Sequence, residues 1–164
     1  MTKPLVVQVV GYKNSGKTTL VAKLVSRLKQ SGFRVGTLKH CSDDFEMDQE
    51  GTDTWKHRQA GAEAAAIVSK EKTAFLENRE VPVEQLLGRM SNLDVVVLEG
   101  FKQRAYPKVV IARSLTDWEE LRKLDNIAAV ASTVGLQADN VPVFSLDDIE
   151  NIYKTVLNQL QQSE

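Results

Sequence analysis

The feature that most constrains the fold of this chain is a short stretch near its beginning. Residues 6–24 read VVQVVGYKNSGKTTLVAKL, an apolar run, then a turn of small and polar residues, then an amphipathic segment. Residues 11–18 within it match the phosphate-binding pattern G-x-x-x-x-G-K-[ST]. A plain strand-to-helix turn is the alternative interpretation. The order strand, loop, helix favours phosphate binding, because it points loop N–H groups and the start of a helix at one place.

Each residue type in this phosphate loop (residues 11–18) has a chemical reason to be there. Gly11 and Gly16 permit the backbone bends that turn successive N–H groups inward. Lys17 is expected to reach the β- and γ-phosphates of a nucleotide, and the Thr18 hydroxyl to bind Mg²⁺. The other residues predicted to contact the nucleotide here are Lys13, Asn14, Ser15 and Thr19.

Apolar runs of strand length alternate along the chain with segments whose apolar residues recur at helical spacing. The predicted strands are residues 5–10, 33–40, 63–69, 73–77, 94–98, 108–112, 127–131 and 141–145. The predicted helices are residues 20–28, 54–62, a short one from Pro82, and 149–160. This alternation predicts a three-layer α/β fold of the P-loop NTPase class, with a largely parallel or mixed sheet and the ligand at the carboxyl ends of its strands.

Bulk composition limits the function classes. The 164 residues are 42% hydrophobic and carry a formal net charge of -1, which predicts one globular domain over residues 1–164. Nothing in the total charge indicates a nucleic-acid or membrane-surface partner. The apolar run near the N-terminus is far shorter than a membrane span, and a cytoplasmic location is the default expectation.

A carboxylate for the metal is expected where a second buried strand ends. The stretch DVVVLEG contains Asp94 and Glu99, which lie roughly 16 Å apart on an extended strand, so only one of them can approach the phosphates. Glu99 is at the carboxyl end and is the predicted Mg²⁺ ligand, although a surface-turn carboxylate remains the alternative. Gly100 is expected to place a backbone N–H near the γ-phosphate.

Residues 42–53 contain six acidic residues and no basic one. A solvated loop is the simpler interpretation for most of them. The functional interpretation is a switch loop whose order depends on metal and nucleotide, because the carboxylates would otherwise repel each other. Asp48 and Asp53 are the candidate switch residues. The members expected to be solvated are Asp43, Asp44 and Glu46.

The histidines and the cysteine give weaker signals. His40 ends a predicted strand and is interpreted as a group supporting the phosphate site rather than as a zinc ligand, since neither Cys41 nor His57 completes a plausible ligand set. Cys41, as the one cysteine, cannot form an internal disulfide and is interpreted as a small semi-buried residue.

A basic segment follows the predicted metal-binding strand. Residues 102–113 contain four basic residues and no acid. Two interpretations remain open: the segment flanks the nucleotide or a second anionic ligand, or it is an exposed basic hairpin.

Taken together, these motifs resemble the MobB family of molybdopterin-guanine dinucleotide biosynthesis adapters. The matching pieces occur in order over most of the first 115 residues. They are GYKNSGKTTL (11–20), TLKH (37–40), a D-x-x-G-x-D element at Asp48, Gly51 and Asp53, RQAGA (58–62) and LEGFK (98–102).

The resemblance implies a protein that binds GTP with Mg²⁺, hydrolyses it weakly, forms a homodimer, and assists the guanylyltransferase MobA in attaching GMP to molybdopterin. Molybdopterin itself is a further candidate ligand. By position, the resemblance assigns Gly11 to Thr18 to phosphates and Mg²⁺, Glu99 to the metal, and Asp48 or Asp53 to the switch. It implies a dimer, but no sequence feature locates the interface.

The chain departs from the family pattern at two positions of the acidic loop, and it lacks a base-reading motif that many GTPases carry. Glu50 and Thr52 stand where the family tends to carry a proline and a lysine. The guanine-reading N-K-x-D sequence is absent, and residues 132–135 after a predicted strand read STVG. GTP preference therefore rests on the resemblance.

Two other classes remain as alternatives. A P-loop small-molecule kinase would use residues 102–113 as a lid and the acidic loop as a base. A module that only holds phosphate is disfavoured by the intact Lys17, Thr18 and Glu99. Turnover should be slow without a partner, because no arginine finger or water-orienting glutamine is evident in the sequence; Arg58, just beyond the acidic loop, is the exception to consider.

Overall fold

The computed structural model describes residues 3–162, apart from the side chain of Leu160. Over that range the elements in chain order are β1 (Leu5–Val10), α1 (Lys17–Gln30), β2 (Val35–Lys39), α2 (Asp53–Gln59), β3 (Ala64–Val68), β4 (Thr73–Glu77), α3 (Val83–Arg89), β5 (Val95–Glu99), β6 (Lys108–Ala112), α4 (Leu115–Leu121), β7 (Ile127–Ser132), β8 (Val143–Ser145) and α5 (Ile149–Gln161). Every predicted strand is confirmed to within a few residues.

The main sheet has six strands in the order β2-β5-β1-β6-β7-β8, and every neighbouring pair is parallel. Strands β5 and β6 are buried at every position, which explains why their sequences are unbroken apolar runs rather than alternating ones. The predicted α/β fold with a largely parallel sheet is confirmed, and the structure supplies the strand order that the sequence left open.

The position of β1 determines where a ligand can bind. The chain leaves β1 and reaches β2 on one side of it, then later returns past β1 to β6 on the other side. In open parallel sheets, a reversal of this kind opens a crevice at the carboxyl ends of the strands. The phosphate loop follows β1 directly and therefore begins at the centre of that edge.

Helices cover both faces of the sheet. On one face, α1 and α5 bury a cluster that includes Leu24 and Ile152 against Val7 and Val9. On the other face, Trp118 of α4 packs with a second cluster. Alternate residues of β1 supply the two clusters, as the pleat of a strand requires. These layers produce the three-layer architecture.

Helix α4 was not predicted, although the sequence carries a start signal for it. The Ser114 hydroxyl accepts from the N–H of Asp117 at 3.0 Å, and the Asp117 carboxylate accepts from the N–H of Arg113 at 2.9 Å. This arrangement resembles a capping box, with Asp117 accepting from the N–H before the cap residue, and the sequence shows it as S-L-T-D before Trp118. The helix has only seven residues, too few to show clear periodicity.

Contacts divide the chain into two compact units, one formed by residues up to His40 and from Leu87 onward, the other by Cys41–Leu86. In the second unit, β3 and β4 form an antiparallel two-stranded sheet, and α2 packs against β3. The single domain over residues 1–164 stays a prediction. Among the described residues, no helix has the length and apolar character needed to cross a membrane.

Candidate nucleotide-binding site

The phosphate loop adopts the backbone that phosphate binding requires. Asn14 and Gly16 both have left-handed conformations, with φ of 61° and 104°. Residues alternating between left- and right-handed regions turn successive N–H groups into a concave nest for an anion. The Ser15 hydroxyl is buried there and has no hydrogen-bond partner within the described residues. An unsatisfied buried hydroxyl at the centre of a nest suits an anionic oxygen as the missing partner.

Gly11 is required by close packing. A Cβ at Gly11 would lie 2.6 Å from Ser15 Oγ and 3.2 Å from Ile111 Cβ. The loop therefore has no room for a side chain at its first position, which explains the glycine without any appeal to φ.

Lys17 curls back over the loop. Its ammonium donates to the carbonyls of Gly11 and Tyr12 at 3.1 and 2.6 Å. Burial lowers the pKa of Lys17, an effect that the nearby Glu99 carboxylate partly offsets. A partly desolvated ammonium held by carbonyls interacts more strongly with an arriving phosphate than a fully hydrated one would.

Thr18 and Glu99 meet where the sequence placed a metal. The Thr18 hydroxyl donates to Glu99 Oε1 at 3.0 Å, and Glu99 is only 7% exposed. The strand register brings Glu99 beside Val9, one residue before β1 ends. A hydroxyl and a carboxylate oxygen are the hard ligands that Mg²⁺ prefers, with phosphate oxygens and waters completing its shell. The residues present thus fit Mg²⁺, and no cluster of three or more His, Cys, Asp or Glu side chains elsewhere in residues 3–162 offers another metal site.

The turn after β5 corrects the prediction for Gly100. Its N–H donates to the carbonyl of Val9 at 2.9 Å, so it is already paired and is not a free donor for a γ-phosphate. Gly100 contributes shape instead: its φ of +89° is left-handed, and a Cβ would lie 3.4 Å from His40 Cβ. Asp94 lies at the opposite end of the strand, directly before β5 begins, and forms an ion pair with Arg34.

Gln8 holds this turn and was missed by the sequence analysis. It is fully buried in β1, and its amide N–H groups donate to the carbonyls of Gly100 and Phe101 at 3.1 and 2.9 Å. The available signal was a single polar residue inside the apolar strand LVVQVV. Such a residue needs internal partners, because burying an unpaired amide is costly.

A second missed residue is Lys39, at the end of β2. Its ammonium lies 3.5 Å from Glu99 Oε1, the oxygen that also accepts from Thr18. The register pairs Lys39 with Glu99 directly. Lys102 lies close by, with its ammonium 4.2 Å from the centre of the Tyr12 ring. Three lysines around one carboxylate leave an excess of positive charge, which suits a polyphosphate.

The basic segment 102–113 is not a hairpin, so that alternative is wrong. Its second half is β6, which lies parallel to β1 and β7 inside the sheet. Lys108 is fully buried and donates to the carbonyls of Tyr106 and Asp125, and burial lowers its pKa. Lys102 lies beside Tyr12 of the phosphate loop, and the alternative that the segment flanks a nucleotide or a second anionic ligand stays a prediction.

His40 continues the chain from β2 beside Glu99. Its N–H donates to the carbonyl of Glu99 at 3.0 Å, and its ring lies 5.2 Å from the ring of Phe101. Both contacts fix the turn that carries Gly100, so the structure gives His40 a supporting position. Cys41 is exposed, which corrects the prediction of a semi-buried residue.

In the second unit, Asp48 is the centre of a hydrogen-bonded turn. Its Oδ1 accepts from the hydroxyls of Thr52 and Thr54 at 3.0 and 3.1 Å. Its side chain is 11% exposed, and its Oδ2 lies 3.7 Å from an Arg58 nitrogen. Asp53 differs, since it is exposed and begins α2 directly after the cap residue Thr52. Asp48 therefore organises its own segment, whereas Asp53 is open to solvent.

Arg58 relieves the repulsion expected among the acidic residues. Two of its side-chain nitrogens donate to the Glu46 carboxylate oxygens at 2.8 and 3.2 Å, and this pairing lowers the pKa of Glu46. Glu46 is 44% exposed, so its predicted solvated position is confirmed, and the pairing with Arg58 is an addition to it. Arg58 is itself 15% exposed and also donates to Asn78. Its guanidinium is occupied within the unit, which argues against its use as an arginine finger in this conformation.

Comparisons with known proteins point to one family. The sequence profile of the family described as MobB, molybdopterin guanine dinucleotide synthesis protein B, matches residues 6–133. The chain is 33% identical over 159 residues to the molybdopterin-guanine dinucleotide biosynthesis adapter protein of Escherichia coli K12, covering 92% of this chain and 90% of that protein.

Solved structures give the same result. The crystal structure of Bacillus subtilis MobB superimposes with a TM-score of 0.81 at 31% identity, covering 94% of this chain and 97% of that one. The MobB homologue of Bacillus stearothermophilus gives a TM-score of 0.77 at 35% identity, covering 96% and 98%. These values extend the likeness over nearly the whole chain, beyond the 115 residues that carry the motifs.

Proposed function

The chain belongs to the MobB family, and we propose that it is a cytoplasmic adapter that binds GTP with Mg²⁺, hydrolyses it slowly, and assists the guanylyltransferase MobA in making molybdopterin-guanine dinucleotide. The observation that carries the nucleotide part is the Thr18–Glu99 hydrogen bond of 3.0 Å beside a nest-shaped loop. Phosphate-only binding would not need a buried carboxylate at that point, because a carboxylate repels phosphate unless a cation lies between them.

The residues divide the work of phosphate binding. Loop N–H groups and the start of α1 stabilise the negative oxygens, and the ammonium of Lys17 exchanges its two carbonyl partners for the β- and γ-phosphates. Thr18 and Glu99 would hold Mg²⁺, which neutralises charge on the transferred phosphoryl group. Lys39 and Lys102 add positive charge at the same corner.

Slow turnover follows from what the site lacks in this conformation. Arg58 is occupied by Glu46, and Asp48 is occupied by two threonine hydroxyls. The task of positioning the attacking water therefore falls to Asp53, which is exposed, or to a partner protein. Slow hydrolysis that a partner accelerates is the behaviour expected of an adapter that uses nucleotide as a signal.

Nucleotide binding tests this proposal most directly. Titration calorimetry with a non-hydrolysable GTP analogue and Mg²⁺ should show binding to the wild type and about a 10- to 150-fold loss for Lys17→Ala, since a charge-assisted phosphate contact contributes roughly 1.5–3 kcal/mol. Lys29→Ala is the matched control, because Lys29 is an exposed lysine in the last turn of α1, away from the phosphate loop. Unchanged binding by Lys17→Ala would overturn the phosphate site.

Turnover separates the adapter from the kinase alternative. Steady-state GTP hydrolysis should be slow alone and should change when MobA is added. Rapid transfer of the γ-phosphoryl group to a small hydroxyl compound would refute the adapter proposal and favour the kinase.

The proposed homodimer has a candidate surface in the second unit. Strands β3 and β4 form a sheet of only two strands, which is marginally stable in isolation. This sheet exposes Ile67, Val68 and Phe75 at 58%, 76% and 54%. Covering these side chains would remove apolar surface from water. Sedimentation velocity should show a dimer that Val68→Glu weakens, and a wild-type monomer at all concentrations would contradict the proposal.

A further inference from the structure

The sequence contains no recognisable base-reading motif, yet a nucleotide-binding protein must place the base somewhere. Resting on the GTP proposal above, we propose that a cavity beside the phosphate loop binds the nucleobase, and that Asp147 paired with Lys23 reads the edge of guanine. The residues lining this cavity are Gly16, Thr19, Leu20, Lys23, Arg113, Leu146 and Asp147.

The position of the cavity fits the direction in which a nucleotide must extend. Its residues come from the start of α1 and from the chain just after β6 and β8. The opposite side of the phosphate loop, after β2 and β5, holds Glu99 and Lys39, which suit metal and phosphate. With the terminal phosphates and Mg²⁺ on that side, the ribose and base extend toward β6, β7 and β8.

The size and lining of the cavity suit a planar ring. Its volume is about 170 Å³, whereas a water molecule occupies about 30 Å³ of the liquid. Leu146 offers an apolar surface next to Gly16, since a Cβ on that glycine would lie 3.5 Å from Leu146 Cδ2. The exposed guanidinium of Arg113 supplies a planar group that can stack on a ring.

An adjacent acceptor and donor provide the base preference. The ammonium of Lys23 lies 3.1 Å from Asp147 Oδ1, and the Asp147 side chain is 90% exposed and so accessible. Guanine presents two N–H donors, at N1 and at the 2-amino group, next to the O6 acceptor. A carboxylate accepts from both donors while an ammonium donates to O6. Adenine presents an unprotonated N1, which a carboxylate repels, so the pair disfavours it.

The neighbouring loop does not supply this function. At the end of β7, the Ser132 hydroxyl donates to the carbonyl of Ala112 at 2.8 Å and accepts from the N–H of Val134 at 3.1 Å. It is therefore committed to holding its own turn. The next acid after β7, Asp139, lines a different cavity with Trp118 and Arg122. Asp147 is the carboxylate that the fold brings to the phosphate loop on this side.

Replacing the carboxylate of Asp147 by the amide of asparagine tests this assignment. Xanthine carries an oxygen where guanine carries its 2-amino group, so an asparagine N–H can donate to it where a carboxylate repels it. The affinities can be measured by competition against a fluorescent guanine nucleotide. Asp147→Asn should bind GDP about 10-fold more weakly than the wild type and xanthosine diphosphate about 10-fold more tightly. These changes agree with the roughly 1–3 kcal/mol of discrimination that a bidentate base contact provides. Asp139→Asn should leave both affinities unchanged.

The gain for xanthosine diphosphate separates base reading from a structural effect. Breaking the ion pair with Lys23 would only weaken binding, and it would weaken both nucleotides alike. Inorganic tripolyphosphate, which has no base, should compete equally with the wild type and with Asp147→Asn. If it does so while Asp147→Asn keeps the wild-type base preference, the base assignment is wrong and the phosphate site stands. If tripolyphosphate does not compete with the wild type at all, the phosphate site itself fails, and the base assignment with it.

Discussion

The two sides of the phosphate loop are built differently. On the β2–β5 side, the chemically important groups belong to strands: Glu99 is the last residue of β5 and Lys39 the last of β2, and their register is fixed by pairing. On the β6–β8 side, Arg113, Leu146 and Asp147 follow the strands and lie in the connecting chain. Glu99 is 7% exposed, whereas the side chain of Asp147 is 90% exposed.

The difference corresponds to two tasks. Charge neutralisation at a phosphoryl group needs oxygens and cations held in place and shielded from water, because electrostatic interactions are stronger at low dielectric. Base selection needs accessible edges that exchange water for the base. The sheet supplies rigid positions for the first task, and the loops supply accessible ones for the second. The predictions below test whether the two sides act independently.

The largest effect is expected from Glu99→Gln. The amide keeps the size of the side chain but removes the charge that would hold Mg²⁺ and that faces Lys39 at 3.5 Å. We expect the affinity for Mg²⁺ in the presence of nucleotide to fall about 10- to 100-fold or more, the range found when groups supporting a metal are altered. The preference for guanine over adenine nucleotides should stay the same, because Asp147 and Lys23 lie on the other side of the loop.

Metal titration at fixed nucleotide concentration measures both quantities. Asp94→Asn is the control, since it removes a carboxylate at the opposite end of the same buried run. A change of base preference in Glu99→Gln would show that the two sides are coupled, and unaltered metal affinity would remove Glu99 from the metal site.

A smaller effect is expected from Gly100→Ala, which shifts the turn that carries Glu99 without changing a ligand. A left-handed conformation costs a residue with a side chain about 1–2 kcal/mol, and Gly100 has φ of +89°. The added Cβ would lie in van der Waals contact with His40, 3.4 Å from its Cβ, so the strain comes from the backbone conformation. The variant should be less stable, and its Mg²⁺ affinity should fall by less than that of Glu99→Gln.

Gly32→Ala provides a matched comparison. Gly32 has φ of +90°, but a Cβ there would meet nothing within 4 Å. Thermal unfolding should show a similar loss of stability in both variants, with reduced Mg²⁺ affinity only in Gly100→Ala. Equal Mg²⁺ affinity in the two variants would indicate that the turn does not position Glu99.

The contrast between the two sides of the phosphate loop also explains which site residues could be predicted from the sequence. The phosphate loop and Glu99 are local signals: one lies inside a single strand–loop–helix unit, and the other ends an apolar run that reads as a buried strand. Lys39 was missed because its importance depends on pairing with Glu99, which is 60 residues away in the chain and comes beside it only through the register of β2 and β5. Asp147 was missed for the same reason, since only the strand order brings the end of β8 near α1.

Side-chain partnerships were the other feature that the sequence did not show. Glu46 and Arg58 were interpreted separately, as a solvated carboxylate and a candidate finger, and the structure joins them. The basic segment that contains Lys108 was left open between an exposed hairpin and a ligand-flanking segment, whereas the structure buries Lys108 and satisfies its ammonium with carbonyl oxygens. Composition and spacing predict elements well, but they do not show which charges neutralise each other across a fold.

The smallest effect is expected at the amino end of β5, away from both sides of the site. Arg34 donates to Asp94 through its side chain at 2.8 and 3.2 Å and through its backbone N–H at 2.7 Å, and this pairing lowers the pKa of Asp94 to about 2. Because the pKa is lower in the folded protein than its ordinary value of about 3.9, the pair stabilises the fold fully above pH ~4 and progressively loses that contribution as the pH falls toward 2.

Urea unfolding of the wild type and Asp94→Asn should therefore show a stability difference that is constant from pH 7 to 5 and that shrinks below pH 4. The difference should be small, because both side chains are more than a third exposed and solvent screens the pair. Nucleotide affinity and base preference at pH 7 should match the wild type, and a loss of either would mean that the amino end of β5 influences the site through the strand that Glu99 ends.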